Sequence, residues 1–336
     1  MFRRLNWRYF DFWLFGVVLL LSIFGIIMIR SAAAGSDVQL ANVRRQIIFG
    51  VISLVVVLSV TVVDYHYWEA LVRPMYAVTL FLLIVVFVTA KARFGAARWL
   101  DTGLFSIQPS ELAKIVIVLV LAYYFAQTKD QPRDFRWIAK SGAITLGFLI
   151  WIVLQPNLSI TIVILVLWFS MLWVSGLPQK YIYIMIGVGL VGGLVAFPFL
   201  EAYQQERVIS FLFPDPNSTY GNSYNVTQAL ISIGSGGLFG MGYGHGTQVQ
   251  LRFLKVRHTD FIFSTIAEEF GFIGTVIVLL LLFFVVYRCL RISVQASDRF
   301  GSLIAFGFGI LILFQTAVNV GVNLKVIPVT GLTLPF

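Results

Sequence analysis

The run LLLLFFVVY, Leu279 to Tyr287, is an unbroken series of apolar and aromatic side chains. A strand of an outer-membrane barrel faces lipid and lumen in turn, so its sequence alternates in polarity. This run does not alternate. It sits inside a longer apolar segment near 261–288, more than the ~20 residues that carry an α-helix across a ~30 Å hydrocarbon layer. It therefore reads as a membrane-spanning helix, in which every backbone polar group is satisfied within the segment.

Similar segments lie near 12–30, 46–63, 74–90, 108–127, 137–154, 157–175, 180–200 and 300–323. The expectation is an all-α polytopic integral membrane protein of nine helices, a single transmembrane domain over 1–336. A composition of 59% hydrophobic and 12% charged residues exceeds what a soluble domain of 336 residues hides in a core. Met-Phe-Arg-Arg at the start leads into no small-residue cleavage site, so the first helix is expected to be retained. Arg3, Arg4 and Arg8 place the N-terminus in the cytoplasm and the stretch 201–260, between helices 7 and 8, outside. Half of the 24 Lys and Arg fall on the cytoplasmic side, and nearly as many fall on the outer side, among them Arg45, Arg98, Arg207 and Arg257. Outward cations gain nothing from the insertion rule, which points to an anionic ligand or to lipid headgroups.

The polar, glycine-rich stretch Glu201 to Asp260 is where chemistry is expected. Asp260 stands where an aqueous loop turns into the next apolar helix. Spacing alone leaves it either a helix cap, together with Thr259, or a general base surrounded by Arg252, Lys255, Arg257 and His258. Closely spaced glycines from Gly234 to Gly246 suit either a backbone nest for phosphate oxygens or close packing. Further along the same helix, about 80° around from Asp260, Glu268 is placed to line a cavity, with Glu269 pointing away. In QPSELAK, Gln108 to Lys114, Pro109 fits a first helical turn and Glu111 and Lys114 share a face, as an ion pair or as a ligand site. Arg98 sits beside Trp99 at the outer interface, and Gln155-Pro156 breaks an apolar run as a tight turn. His245 and His258 lack zinc-ligand spacing, so no metal site is assigned. No Walker loop, dinucleotide fingerprint or paired-cysteine motif is present, and Cys289 is alone, which argues against an ATP-driven pump and against internal disulfides.

Seven stretches carry a family resemblance: RRQIIFG (Arg44 to Gly50), GAARWLD (Gly95 to Asp101), FSIQPSELAK (Phe105 to Lys114), QPNL (Gln155 to Leu158), QALISIGSGGLFGMGYGHGTQ (Gln228 to Gln248), HTDFIFSTIAEEFGFIG (His258 to Gly274) and IPVTGLTLPF (Ile327 to Phe336). Over nearly its whole length the chain resembles the SEDS proteins (shape, elongation, division, sporulation), the RodA branch first and the FtsW paralogue second. The resemblance implies a polymerase of lipid II, the undecaprenyl-diphosphate-linked muropeptide, working in the bacterial inner membrane during cell-wall elongation. Its implied partners are a class B penicillin-binding protein and membrane lipid, with no nucleic acid. Asp260 matches the family's essential aspartate, and Lys114 and Glu111 match a polar pair of the fourth helix. Arg45, Arg98, Gln228 and Ser235 match further cavity positions. Asn157 departs from the family's usual Asp in the fifth-to-sixth turn, and the family continues past LPF with a tenth helix, expected here either to follow Phe336 or to be missing.

The reaction so implied has Asp260 deprotonate a sugar hydroxyl that displaces undecaprenyl diphosphate, with Lys114, Arg98 and Arg257 offsetting the leaving charge. A divalent cation at the diphosphate is compatible with this, although the sequence offers no clean ligand set. Two other classes compete: a transporter flipping the lipid-linked precursor through Lys114 and Glu111, and a non-catalytic membrane scaffold for the transpeptidase.

Overall fold

The computed structural model describes residues 10–33, 37–89, 99–101, 106–215, 218, 221–254 and 259–336. The protein is helical: α1 (Phe12–Ala32), α2 (Asp37–Val62), α3 (His66–Thr89), α4 (Pro109–Gln127), α5 (Phe135–Leu154), α6 (Leu158–Val174), α7 (Gln179–Ala196), α8 (Ala202–Leu212), α9 (Gly221–Ser235), α10 (Thr247–Gln250), α11 (Ile262–Gln295) and α12 (Arg299–Asn323). The only extended pairing among the described residues is a two-residue antiparallel ladder, β1 (Leu100–Asp101) with β2 (Ser106–Ile107). Eight of the described helices are long and apolar enough to cross a membrane, and α6, at 17 residues, is a shorter apolar ninth. Each corresponds to one of the nine segments expected from hydropathy. The protein is a multi-pass membrane protein.

Two compact units emerge. One comprises Tyr65–Gln205 and Cys289–Leu311. Its centre is α4, of whose membrane-spanning window 67% is buried, against 0% for α7. Ala113, Ile117, Leu121 and Phe125 recur every fourth residue along α4 and are fully buried, with Val118 and Ala122 buried beside them. Helices α3, α5 and α6 pack around it. By contrast α7 shows Val188, Leu190 and Leu194 outward, as a helix does whose surroundings are hydrocarbon.

Polar groups in this unit secure the helix ends. Between α5 and α6 the chain makes the tight turn expected at Gln155-Pro156. Gln155 Nε2 donates to the Leu83 carbonyl at 2.9 Å, and the Tyr203 hydroxyl donates to the Pro156 carbonyl at 2.6 Å. Asn157 caps α6 through its side-chain oxygen, which accepts from Ile160 N at 3.5 Å. A neutral amide serves this cap as a carboxylate would. Arg133 fastens the α4–α5 connection to the end of α6. Its Nη1 donates to the Thr128 carbonyl at 2.6 Å and its Nε to the Ser175 carbonyl at 3.1 Å, while the guanidinium lies 4.5 Å from the Trp137 ring centre.

The other unit comprises Met1–Asp64, Glu206–Arg288 and Ile312–Phe336. Asp11 caps α1 by accepting from Leu14 N at 3.0 Å, and Arg288 Nε donates to the same carboxylate at 2.8 Å. The stretch 201–260, expected as a loop, contains α8, α9 and α10. All three fall short of the ~20 residues a span requires.

α11 is broken at Gly271, which takes φ 67° and ψ −167°. A broken helix inside a membrane frees backbone groups that must find partners in the protein. Here the glycine-rich turn supplies them. Met241 N and Gly242 N donate to the carbonyls of Glu268 and Glu269, both at 2.9 Å, and Phe272 N and Ile273 N donate to Gly237 O and Leu238 O at 2.8 and 3.1 Å. Close packing is visible at Gly236 and Gly240, where a Cβ would lie 2.0 Å from Ala267 O and 2.2 Å from Glu269 O, and the backbone N–H groups of 241 and 242 are consumed by the helix break.

Candidate functional site

Asp260 lies in the turn before α11, partly exposed. Its position is set by two buried asparagines near the end of α12. Asn319 Nδ2 and Asn323 Nδ2 each donate to the Asp260 backbone carbonyl at 3.0 Å. Four residues apart, they share one helix face. Asn323 Oδ1 also accepts from Ser264 Oγ at 2.6 Å and from Ser264 N at 3.2 Å, which locks the first turn of α11 to the same amide.

The segment after α12 closes around this turn. Asn319 Nδ2 donates to Leu332 O at 2.8 Å, and Arg207 Nη1 of α8 donates to Thr330 O at 3.0 Å. Between these contacts stands Gly331, with φ 80°. A Cβ there would lie 3.8 Å from both Arg207 Nη1 and Asp260 Oδ2. The segments TDFIF, Thr259 to Phe263, and IPVTGLTLPF, far apart in sequence, thus meet around one carboxylate and one guanidinium. Asn319, Asn323 and Arg207 were not singled out from sequence as site residues. The available signal was a pair of amides at i, i+4 spacing inside an apolar helix, where polar groups are costly enough to imply a task.

Glu268 and Glu269, at 0% and 1% exposure, are both buried. Glu268, expected to line a cavity, instead accepts from Gln248 N at 2.7 Å and Thr247 Oγ at 3.3 Å at the start of α10. Glu269 accepts a hydrogen bond from Ser31 of α1. Both acids tie neighbouring segments to α11, a role that periodicity could not show because their partners lie far off in sequence. Gln228 and Ser235 are partly exposed on α9, seven residues apart, and the Ser235 hydroxyl donates to Ser232 O at 2.8 Å. Arg45 is exposed on α2. Arg98, Arg257 and His258 lie outside the described residues.

In the other unit Glu111 and Lys114 form the pair their spacing allows. Lys114 Nζ stands 2.6 Å from Glu111 Oε2, with the lysine side chain 5% exposed and the glutamate 52%. The asymmetry has a consequence for stability. Glu111→Gln leaves a buried ammonium without its counter-charge and is expected to cost about 1–3 kcal/mol. Lys114→Met removes the buried charge itself and leaves its partner carboxylate half exposed, and costs less. Thermal unfolding of both variants in detergent checks the order; equal shifts would mean that the pair behaves as an exposed one.

The FtsW/RodA/SpoVE family model, described as cell cycle protein, matches residues 11–336. The chain belongs to this family. Among its members, the probable peptidoglycan glycosyltransferase FtsW of Aliivibrio salmonicida is 36% identical, over 97% of this chain and 83% of that protein. Stage V sporulation protein E of Bacillus subtilis is 34% identical, over 95% of this chain and 89% of that one. Among solved structures, a chain from a peptidoglycan synthase complex that coordinates polymerization and crosslinking superposes with a TM-score of 0.82 at 29% identity, covering 98% of this chain and 91% of that one. The rod shape determining protein RodA of Thermus thermophilus gives 0.72 at 29% identity, covering 98% and 90%. FtsW, sporulation and RodA members are thus all represented among the similar proteins.

Proposed function

We propose that this chain is a peptidoglycan glycosyltransferase that polymerises lipid II into glycan strands at the bacterial inner membrane, its N-terminus cytoplasmic and its Asp260 turn on the outer side. Family membership supports the activity. For the catalytic assignment, the observation that carries the reading is a carboxylate at the mouth of a membrane helix, its backbone fixed by Asn319 and Asn323 and its side chain beside the position that also borders Arg207.

In the proposed reaction the acceptor's sugar 4-hydroxyl oxygen attacks C1 of the donor sugar. The C1–oxygen bond to undecaprenyl diphosphate breaks, and its electron pair leaves on the diphosphate. Asp260 takes the hydroxyl proton, and C1 is inverted. Lys114, Arg98 and Arg257 are proposed to offset charge on the leaving diphosphate. Glu111, Arg45, Gln228, Ser235 and His258 are proposed as further contacts to the lipid-linked substrate. Among the described residues no set of three His, Cys, Asp or Glu side chains gathers to hold a metal ion. A class B penicillin-binding protein is the proposed partner, cross-linking the strands produced.

Reconstitution tests the reading. Purified protein with its partner transpeptidase receives lipid II in detergent, where no flipping is required, and glycan strands are resolved on gels. Strands from wild type and none from Asp260→Asn are expected. Strands that persist in the variant reject Asp260 as the base. Translocation in vesicles without polymer would replace the reading with a transporter, and strand synthesis traced to the partner alone would make the chain a scaffold.

A further inference from the structure

Within the unit that carries Asp260, a cleft opens between α8, α9 and the segment after α12. Arg207, Ser210, Asn222, Ser223, Lys325 and Ile327 are among its lining residues. The two charged residues lining it are both cations, and no Asp or Glu lines it among the described residues. Arg207 is oriented by its hydrogen bond to Thr330 O at 3.0 Å. The same Nη1 borders the Gly331 position that Asp260 Oδ2 borders, so the cleft adjoins the candidate base.

Lys325 sits there at the expense of backbone comfort. α12 closes with paired bonds of the Schellman type, Val326 N to Gly321 O at 2.8 Å and Lys325 N to Val322 O at 3.1 Å. That closure requires a left-handed residue, and Lys325 takes φ 55°. Glycine adopts this conformation freely, whereas a side chain is strained in it. Strain of this kind persists where the side chain has a task. The Lys325 ammonium forms no ion pair among the described residues.

We propose that Arg207 and Lys325 form an anion subsite beside Asp260 that holds a phosphate-bearing lipid headgroup, namely the diphosphate of the lipid-linked sugar. The identity of the ligand rests on the function proposed above; the subsite itself rests on the two lining cations, because the cleft, at about 20 Å³, has room for little more than one water and leaves the headgroup at its mouth. Arg207 offers a planar fork for phosphate oxygens and Lys325 a point charge. An ordinary anionic phospholipid presents the same phosphate chemistry, and the experiment separates the two.

Lys325→Gly is the informative variant, because glycine suits the closure and the protein should melt at or above the wild-type temperature. Lys325→Gln keeps the backbone demand and removes the charge. Binding of undecaprenyl diphosphate to the whole chain in detergent is measured without acceptor or turnover. Both variants, and Arg207→Gln, are expected to bind about tenfold more weakly than wild type, as loss of one charge-assisted contact predicts. Wild-type affinity in the Lys325 variants would overturn the subsite. Phosphatidylglycerol competing as well as undecaprenyl diphosphate would overturn its assignment to the lipid-linked diphosphate. The two readings fail separately. A chain that polymerises lipid II but binds undecaprenyl diphosphate without regard to Lys325 keeps the function and loses the subsite, and a chain that binds through Lys325 but yields no polymer does the reverse.

Discussion

Asp260→Asn is expected to lower glycan-strand synthesis from lipid II by roughly 10²–10⁴-fold, the range a positioned general base contributes. An amide of the same shape keeps the turn but has no oxygen basic enough to take the hydroxyl proton. The turn itself depends on the Asp260 backbone carbonyl, which accepts from Asn319 and Asn323 at 3.0 Å whichever side chain is present. The melting temperature should therefore move little beside the change in rate. Asn323→Ala gives the complementary pattern. It removes the donor to Asp260 O and the acceptor of Ser264 Oγ and N, so both rate and stability should fall, the latter by about 1–3 kcal/mol. A rate within threefold of wild type for Asp260→Asn would end the assignment of the base.

Gly271→Ala is expected to destabilise the fold by about 3 kcal/mol or more, enough to deplete the monodisperse species recovered from the membrane. Two effects add. The backbone at φ 67°, ψ −167° is a region essentially confined to glycine. A Cβ there would also lie 2.3 Å from Gly240 N and 2.6 Å from Leu238 O, which are backbone atoms and cannot rotate aside. Gly192→Ala in α7 is the control, since nothing lies within 4 Å of its Cβ position, and a helical glycine replaced by alanine gains up to about 1 kcal/mol. Size-exclusion profiles and thermal melts of the two variants decide. A Gly271→Ala protein that melts with wild type would show that the break in α11 is not held by this close approach.

These outcomes depend on features of differing visibility in the chain. The apolar runs that became α1 to α7, α11 and α12 could be drawn directly, because the hydrocarbon thickness and the need to satisfy backbone groups within the segment are local demands. The Glu111–Lys114 pair was visible for the same reason, being a matter of spacing on one helix. The break in α11 was not, although Gly271 and the glycines of Gly234 to Gly246 were in plain view. Nothing local says that the N–H of Met241 will serve the carbonyl of Glu268.

By itself the sequence determined that this is a multi-helix membrane protein of the FtsW/RodA/SpoVE family, with its polar stretch ending at Asp260. The tertiary structure alone decided that Asn319 and Asn323 hold that turn, that Arg207 and Gly331 border its carboxylate, that Glu268 is occupied with α10, and that Lys114 is buried while Glu111 is open. Hydropathy follows from each residue and its near neighbours. Hydrogen bonds across long loops depend on which helix faces meet, and that is set only when the helices pack.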